Sequence, residues 1–578
     1  MKTVFRFLKP YRGRFFLTVF FMIADVAGGL VIPTLTADMI NIGVGSRDMN
    51  YVLEKGLIMA AVTVLAGASA LAGSWLCARL SADIGRDMRN ALYEKSLELS
   101  VHDFEQFGTG SMITRTLNDV SVIQQSVVWC IQMVLPVPAL SVMGIVMAFA
   151  IDRGMGMMLT GIVLFVTALA FLVGSKASAI FERMQKFLDR MNVVLRENLT
   201  GVRVIRAFNR EEYETKRMKK SFCDYASAAI RTNQLFAGLD CISYFVINVC
   251  IVGILWIGGN QIGLGRMEIG DITAMTEYTI LILFYLMMAQ MVIILLPRAS
   301  VCLERLNEVL EKKPEIQDGL AQMEDKSEHG EEVIRMEKVN FSFPDTGAET
   351  LHEISFSCRK GETTAIIGGT GSGKSTIVRL LLRFHDVTEG AVLLNGKDVR
   401  TICQKELREH ISYVPQKAWL FSGTIEDNLR SGSPGAGEEE MYHALEVAQA
   451  GFVKKLDDGL RAHVAQGGTN FSGGQKQRLS IARALMKKAD LYIFDDSFSA
   501  LDFKTDHALR TALADEMKEA AVLIVAQRIS TIRHASQILV LEEGRIAGSG
   551  THEELMENCQ VYREIAASQR KGGGEYGQ

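Results

Sequence analysis

Six stretches of about 20 mostly apolar residues, at roughly 15–35, 56–78, 127–150, 155–174, 238–259 and 278–297, dominate the first half of the chain. At 1.5 Å rise per residue, a helix of that length covers a hydrocarbon core about 30 Å thick, so the pattern predicts six membrane-spanning helices. Beyond residue 300 it changes to short β-rich runs alternating with amphipathic helical stretches, as expected of a soluble α/β domain. Between the two, residues 311–332 (EKKPEIQDGLAQMEDKSEHGEE) are almost wholly polar and read as a linker. The predicted plan is a helical membrane domain at 1–310, a linker at 311–332, an α/β domain at 333–570 and a tail at 571–578. That tail, KGGGEYGQ, is too small and polar to pack and is expected to be disordered.

Charge gives the spans a direction. Residues 1–14, 79–126 and 175–237 hold 5, 5 and 13 Lys and Arg, against 2, 1 and 1 in 36–55, 151–154 and 260–277. Basic loops stay on the cytoplasmic side, which puts the N-terminus and the C-terminal half there together. The two cytoplasmic connections are long, polar and free of proline, with helix-like apolar spacing on both arms. Folded as antiparallel helix extensions of about 24 residues per arm, the first projects about 36 Å from the bilayer. Its tip falls near residue 102, beside the turn-capable Phe107, Gly108, Thr109 and Gly110, and that of the second near Arg206 to Asn209.

The composition agrees with a membrane protein: 578 residues, 48% hydrophobic and 22% charged, with a mean hydropathy of +0.16. A net charge of −4 argues against a nucleic-acid partner, which is held by neutralising phosphates. The nine cysteines form no CxxC pair and have no clustered histidines, so neither a zinc site nor a disulfide framework is expected. The first apolar stretch is too long for a signal-peptide core and should stay as an anchor. Asp25 lies inside it, where a carboxyl group either contacts a neighbouring helix or faces a substrate pathway. In the last span, Tyr285, Met287, Met288, Gln290 and Met291 either face lipid or form an adaptable cavity wall.

The chemistry sits in the second half. Gly368, Gly369, Thr370, Gly371, Ser372, Gly373, Lys374, Ser375 and Thr376 follow the strand-like TTAII and precede the helix-like IVRLLLRF. Glycines let backbone amides wrap phosphates, a lysine at this place reaches the β and γ oxygens, and the Ser375 hydroxyl ligates magnesium. This predicts ATP with Mg2+ as the bound nucleotide. A second strand-like run, Leu491 to Phe494, ends in Asp495, the expected carboxylate partner of that magnesium. Between these motifs, Phe471, Ser472, Gly473, Gly474 and Gln475 open another helix. Such a start is itself an anion cradle, and since the first loop already takes this chain's phosphates, the anion here comes from another subunit.

With these motifs in this order, the chain resembles the ATP-binding cassette (ABC) exporters along essentially its whole length. The resemblance implies a type I exporter fold: an α-helical transmembrane domain with six spans and long cytoplasmic extensions, then an α/β P-loop nucleotide-binding domain. It implies that Phe343 (in FSFP) stacks on adenine and that Gln416 (in YVPQKAWLF) is the Q-loop residue between magnesium, nucleotide and membrane domain. Asp502 (in SALD) is then the D-loop aspartate. Two cassettes pack head to tail in the family, so one six-span half with one cassette implies a half-transporter that dimerises in the cell membrane.

Two positions depart from the family pattern. Where the family has a glutamate that polarises the attacking water stands Asp496, one methylene shorter. A shortfall of about 1 Å there can cost about a hundredfold in rate. Where it has a histidine stands Gln527 (in IVAQRIST), which hydrogen-bonds but neither titrates nor carries positive charge. Phe343 replaces the usual tyrosine and still stacks. Together Asp496 and Gln527 point to a site that binds ATP and hydrolyses it poorly. The signature, apart from Phe471 in place of leucine, is intact, and so implies a different partner chain with a competent P-loop site. The expected function is ATP-driven export of lipophilic or amphipathic compounds, as in bacterial heterodimeric multidrug exporters. A dedicated peptide or lipid exporter, an importer on the exporter fold, and a nucleotide-sensing regulator with little turnover stand as alternatives.

Overall fold

The computed structural model describes residues 2–319, 331–343, 347 and 349–572. It divides into two compact units, Met1–Glu98 with Phe107–Lys313, and Leu99–Gln106 with Pro314–Gln578.

Among the described residues of the first unit, six helices are long and apolar enough to cross a membrane: Thr3–Val44, Met49–Glu98, Thr109–Ile151, Arg153–Val173, Glu211–Gly263 and Ile269–Glu311. Each predicted apolar stretch lies on one of them. The fourth helix continues unbroken to Ala207, and a tight turn with Asn209 at φ 51° reverses the chain into Glu211–Gly263. The spans meet around Leu30, Leu140, Leu159, Ile254 and Tyr278, where Thr34 and Tyr278 share a hydrogen bond of 2.6 Å. Leu71, Phe171 and Trp256 stand exposed on the outside, as suits a surface facing lipid. Asp25 and Met287 are partly buried, while Met291 is exposed. Gln290 is buried, and neither of its amide atoms has a partner among the described residues.

Two π-helical turns, Arg115–Asp119 and Cys130–Val134, interrupt the third span helix. Nothing in the apolar spacing announces them, because one extra residue per turn leaves composition unchanged. At the first of them Arg115 pairs with Glu308 at 2.8 Å and donates to the Arg305 carbonyl at 2.6 Å.

The second unit is built on a six-stranded sheet. Its strands are β1 (Glu332–Ser342), β2 (Glu349–Arg359), β3 (Thr363–Gly368), β4 (Glu389–Leu394), β5 (Lys397–Asp398), β6 (Ile411–Val414), β7 (Gly423–Thr424), β8 (His463–Val464), β9 (Leu491–Asp495), β10 (Ala521–Val525), β11 (Gln537–Glu542) and β12 (Arg545–Gly550). The central sheet runs β12-β11-β3-β10-β9-β6, parallel except for β12; β2-β1-β4-β5 form an antiparallel sheet, and β7 pairs with β8. Successive side chains on a strand point to opposite faces. Hence Ala365, Ile367, Phe494 and Ile524 enter one core, while Ile366, Ile493, Leu523 and Val525 enter the other. A sheet covered on both faces needs such unbroken apolar runs.

Two boundaries differ from the composition reading. Residues from Pro314 on belong to the second unit: Gln404 donates to Asp318 at 2.9 Å and Arg383 to the Gln317 carbonyl at 2.9 Å. A polar segment docks here through its acceptors as well as the buried Ile316; residues 320–330 of the expected linker lie outside the described residues, and Glu332 already opens β1. The tip of the first extension, Leu99–Gln106, also joins the second unit; from Val101 it runs into a short helix, Val101–Phe107, followed by Gly108 at φ 75°. At the other end, the helix Gln560–Gly572 takes in two residues of the expected tail, and 573–578 lie outside the described residues.

Candidate nucleotide site

Four strands of the parallel sheet end level with one another. Ile366 of β3 and Asp495 of β9 both pair with Val525 of β10, and Phe494 of β9 pairs with Val414 of β6. Chain leaving those carboxyl ends opens on one crevice, where ligands of parallel α/β sheets bind. The glycine loop follows β3, Asp496 follows β9, Gln416 follows β6 and Gln527 follows β10.

The loop turns into the helix Lys374–Leu381 through Gly371 at φ 84° and Gly373 at φ 101°, conformations that residues with a Cβ rarely take. A Cβ on Gly373 would lie 2.5 Å from Leu351 Cδ2, and one on Gly368 would run into the Leu541 carbonyl. Lys374 Nζ donates to the carbonyls of Gly368 at 2.7 Å and Gly369 at 2.6 Å, so the ammonium lies along the loop. Burial pulls its pKa below the usual lysine value, against the charges of Asp496 and Asp495. Gly369, Thr370 and Ser375 are exposed or partly so; Ser372 and Thr376 are buried and belong to the packing of the loop.

Asp495 ends β9 buried, with Tyr413 donating to its Oδ2 at 3.4 Å. Burial, then the neighbouring Asp496 charge, raises its pKa. Asp496 turns into the left-handed region at φ 45°, anchored by its N–H to the Val525 carbonyl at 2.8 Å. Its Oδ2 accepts from Gln527 Nε2 at 2.9 Å and from Gln416 Nε2 at 3.1 Å. Burial raises the Asp496 pKa, and the Gln416 amide opposes that shift.

These groups fit a nucleoside triphosphate with Mg2+. The loop has a wrapped backbone, a lysine and a helix N-terminus for anionic oxygens. Ser375 and Asp495 offer oxygen donors for a hard cation. No cluster of three or more His, Cys, Asp or Glu able to hold a metal occurs among the described residues. Phosphate and water oxygens would complete the shell, as magnesium favours.

The other predicted residues make their contacts apart from this cluster. Ser472 caps the helix Gly473–Leu485 in a reciprocal box, accepting from Gln475 N at 3.3 Å while Gln475 Oε1 accepts from Ser472 N at 2.9 Å. The box leaves the Ser472 hydroxyl hydrogen free to point outward. A Cβ on Gly473 would meet nothing within 4 Å; one on Gly474 would come 3.4 Å from the Ala500 carbonyl. Asp502 caps the helix Phe503–Glu516, accepting from Thr505 N at 3.0 Å and Thr505 Oγ1 at 2.8 Å, bonds that hold its pKa below the usual range. Phe343 packs edge-on against Phe341 and His385, at 4.9 and 5.4 Å between ring centres.

Comparison with known proteins agrees with this arrangement. Residues 15–287 match the ABC transporter transmembrane region and residues 351–499 match the ABC transporter family. An uncharacterized ABC transporter ATP-binding protein of Mycobacterium tuberculosis is 38% identical over 566 residues, 97% of each chain. The chain belongs to the ABC transporters. A second uncharacterized ABC transporter ATP-binding protein, from Bacillus subtilis, is 34% identical over 98% of each chain. An ATP-dependent lipid A-core flippase of Desulfotalea psychrophila is 28% identical over 96% of this chain and 97% of its own length. The fold matches a solved bacterial Atm1-family ABC exporter with ATP bound, with a TM-score of 0.80 over 98% of this chain and 99% of that one, at 24% identity. The protein therefore has the architecture of an ABC exporter half-transporter, a membrane-spanning protein whose ATPase drives transport.

Two residues near the site of this ABC transporter went unremarked in its sequence. Tyr413 stands three positions before Gln416, on β6 beside β9, where strand pairing alone brings its hydroxyl to Asp495. His385, beyond the P-loop helix, carries no motif at all and is found through its ring contacts.

Proposed function

We propose that this chain is one half of a heterodimeric ABC exporter moving lipophilic or amphipathic compounds across the cell membrane by alternating access. Its own P-loop site holds ATP and turns it over slowly, while its signature serves a faster site on a different partner chain. The observation that carries this is Asp496: its Oδ2 is held by two side-chain amides, from Gln416 and Gln527. Neither amide can accept or release a proton near neutral pH. A carboxylate so engaged, on a side chain one methylene short, is a poor base for the attacking water.

In this reading the loop from Gly368 to Thr376 cradles the phosphates, Lys374 neutralises them, and Phe343 stacks on adenine. Ser375, Gln416 and Asp495 hold the magnesium, which when bound draws charge from the transferring phosphoryl oxygens. Ser472, Gly473, Gly474 and Gln475 present the outward hydroxyl and backbone donors of a helix start to the partner's nucleotide. Asp502 shapes the helix start that follows the catalytic strand. The positive loops support a cytoplasmic nucleotide-binding domain. The likeness to a lipid A-core flippase supports a lipophilic substrate class.

Co-purification from the native membrane, with the associated chain identified by mass, tests the assignment. A second ABC chain carrying Glu and His at the positions of Asp496 and Gln527 supports it. A homodimer without hydrolysis would instead make this a nucleotide-sensing membrane protein.

A further inference from the structure

The segment Leu99–Gln106, at the turn of the first helical extension, is part of the second unit. Two contacts fix it there. Asp103 Oδ2 accepts from the Glu315 N–H at 3.0 Å. The buried His102 ring lies 5.7 Å from that of His385, tilted by 57°. His385 follows the P-loop helix and is only 4% exposed. Its ring meets Phe341 at 5.5 Å and Phe343 at 5.4 Å, the latter edge-on at 87°. Four rings thus run without a gap from the tip segment to Phe343.

His385 Nδ1 is buried and has no hydrogen-bond partner among the described residues. The geometry of aromatic pairs is directional, so ring packing rather than that nitrogen sets where His385 sits and which way Phe343 faces. We infer that His385, packed between His102 and Phe343, is a positioning residue for Phe343 and so for this chain's hold on the adenine of ATP. This rests on the reading of Phe343 as the adenine platform.

The test is a double-mutant cycle on the full-length chain, with equilibrium binding of ATP and of inorganic tripolyphosphate, which has no adenine. His385→Ala and His102→Ala should each weaken ATP binding about threefold to tenfold and leave tripolyphosphate binding unchanged. His385→Phe, which keeps a ring, should bind ATP nearly as the wild type does. In a Phe343→Ala background, His385→Ala should have no further effect. If Phe343→Ala leaves ATP affinity unchanged, the adenine platform itself is wrong and the inference falls with it. If Phe343→Ala weakens ATP binding but His385→Ala weakens it by the same factor in both backgrounds, the platform stands and the positioning role is overturned. Equal losses for ATP and tripolyphosphate would likewise overturn it, by showing general damage to the domain.

Discussion

Gln527 donates through Nε2 to Oδ2 of Asp496 at 2.9 Å, and Gln416 donates to the same oxygen at 3.1 Å. Residues from three different strand ends thereby converge on one carboxylate oxygen. The arrangement engages both amides on Asp496, the geometry on which the proposed slow turnover at this site rests.

The two halves of the chain's chemistry should serve different ATP molecules, and two variants of the native complex separate them. Asp496→Asn alters the site proposed to be slow and should lower steady-state ATPase by less than about threefold. Gly473→Glu fills the open space before the Ser472 cap with a bulky anion and should lower it by at least about a hundredfold, the scale of losing a preorganised donor at a phosphoryl or oxyanion site. An inactive Asp496→Asn complex beside an active Gly473→Glu complex would reverse the assignment.

Lys374→Ala removes the ammonium that lies along the carbonyls of Gly368 and Gly369. Loss of a charge-assisted phosphate contact should weaken nucleotide retention at this chain's site roughly tenfold to a hundredfold. Hydrolysis by the native complex should persist in part. Photo-crosslinking of azido-ATP to each chain reads the two sites separately, and unchanged labelling of this chain would contradict the role of Lys374.

His385 gives the second unit a pH dependence. Burial pushes its pKa below the ordinary histidine value, helped by His102 and Arg379 and opposed by Glu105. The unfolded chain therefore takes up the proton first as pH falls below about 6.5. The contribution is complete above that pH and is lost on acidification. His385→Phe should shrink the drop in thermal stability of the full chain between pH 7.5 and pH 5.5, measured at constant ionic strength; a drop of unchanged size would show that the buried imidazole is not its source.

The six spans were legible because length and composition alone decide what crosses a bilayer. The P-loop, Asp495 and the signature were legible because each is a short local pattern on a strand or helix end. What stayed hidden depends on register between distant strands. Resemblance to the family put Asp496 and Gln527 in one site and Gln416 beside the nucleotide, but only the pairing of β6, β9 and β10 brings all three to one oxygen. Likewise Asp103 and Asp318 read as ordinary polar residues until the backbone N–H of Glu315 and the amide of Gln404 are found on them. The π-helical turns at Arg115 and Cys130 leave no trace in hydrophobic spacing.

The central claim is that Asp496 and Gln527 together make this chain's nucleotide site slow. Steady-state ATPase of the full-length chain purified alone in lipid nanodiscs, wild type against Asp496→Glu/Gln527→His, tests it most directly. Restoring a longer carboxylate and a titratable imidazole should raise turnover per site by at least about tenfold, part of the roughly hundredfold that a 1 Å misplacement costs. Equal turnover of the two proteins would contradict the account.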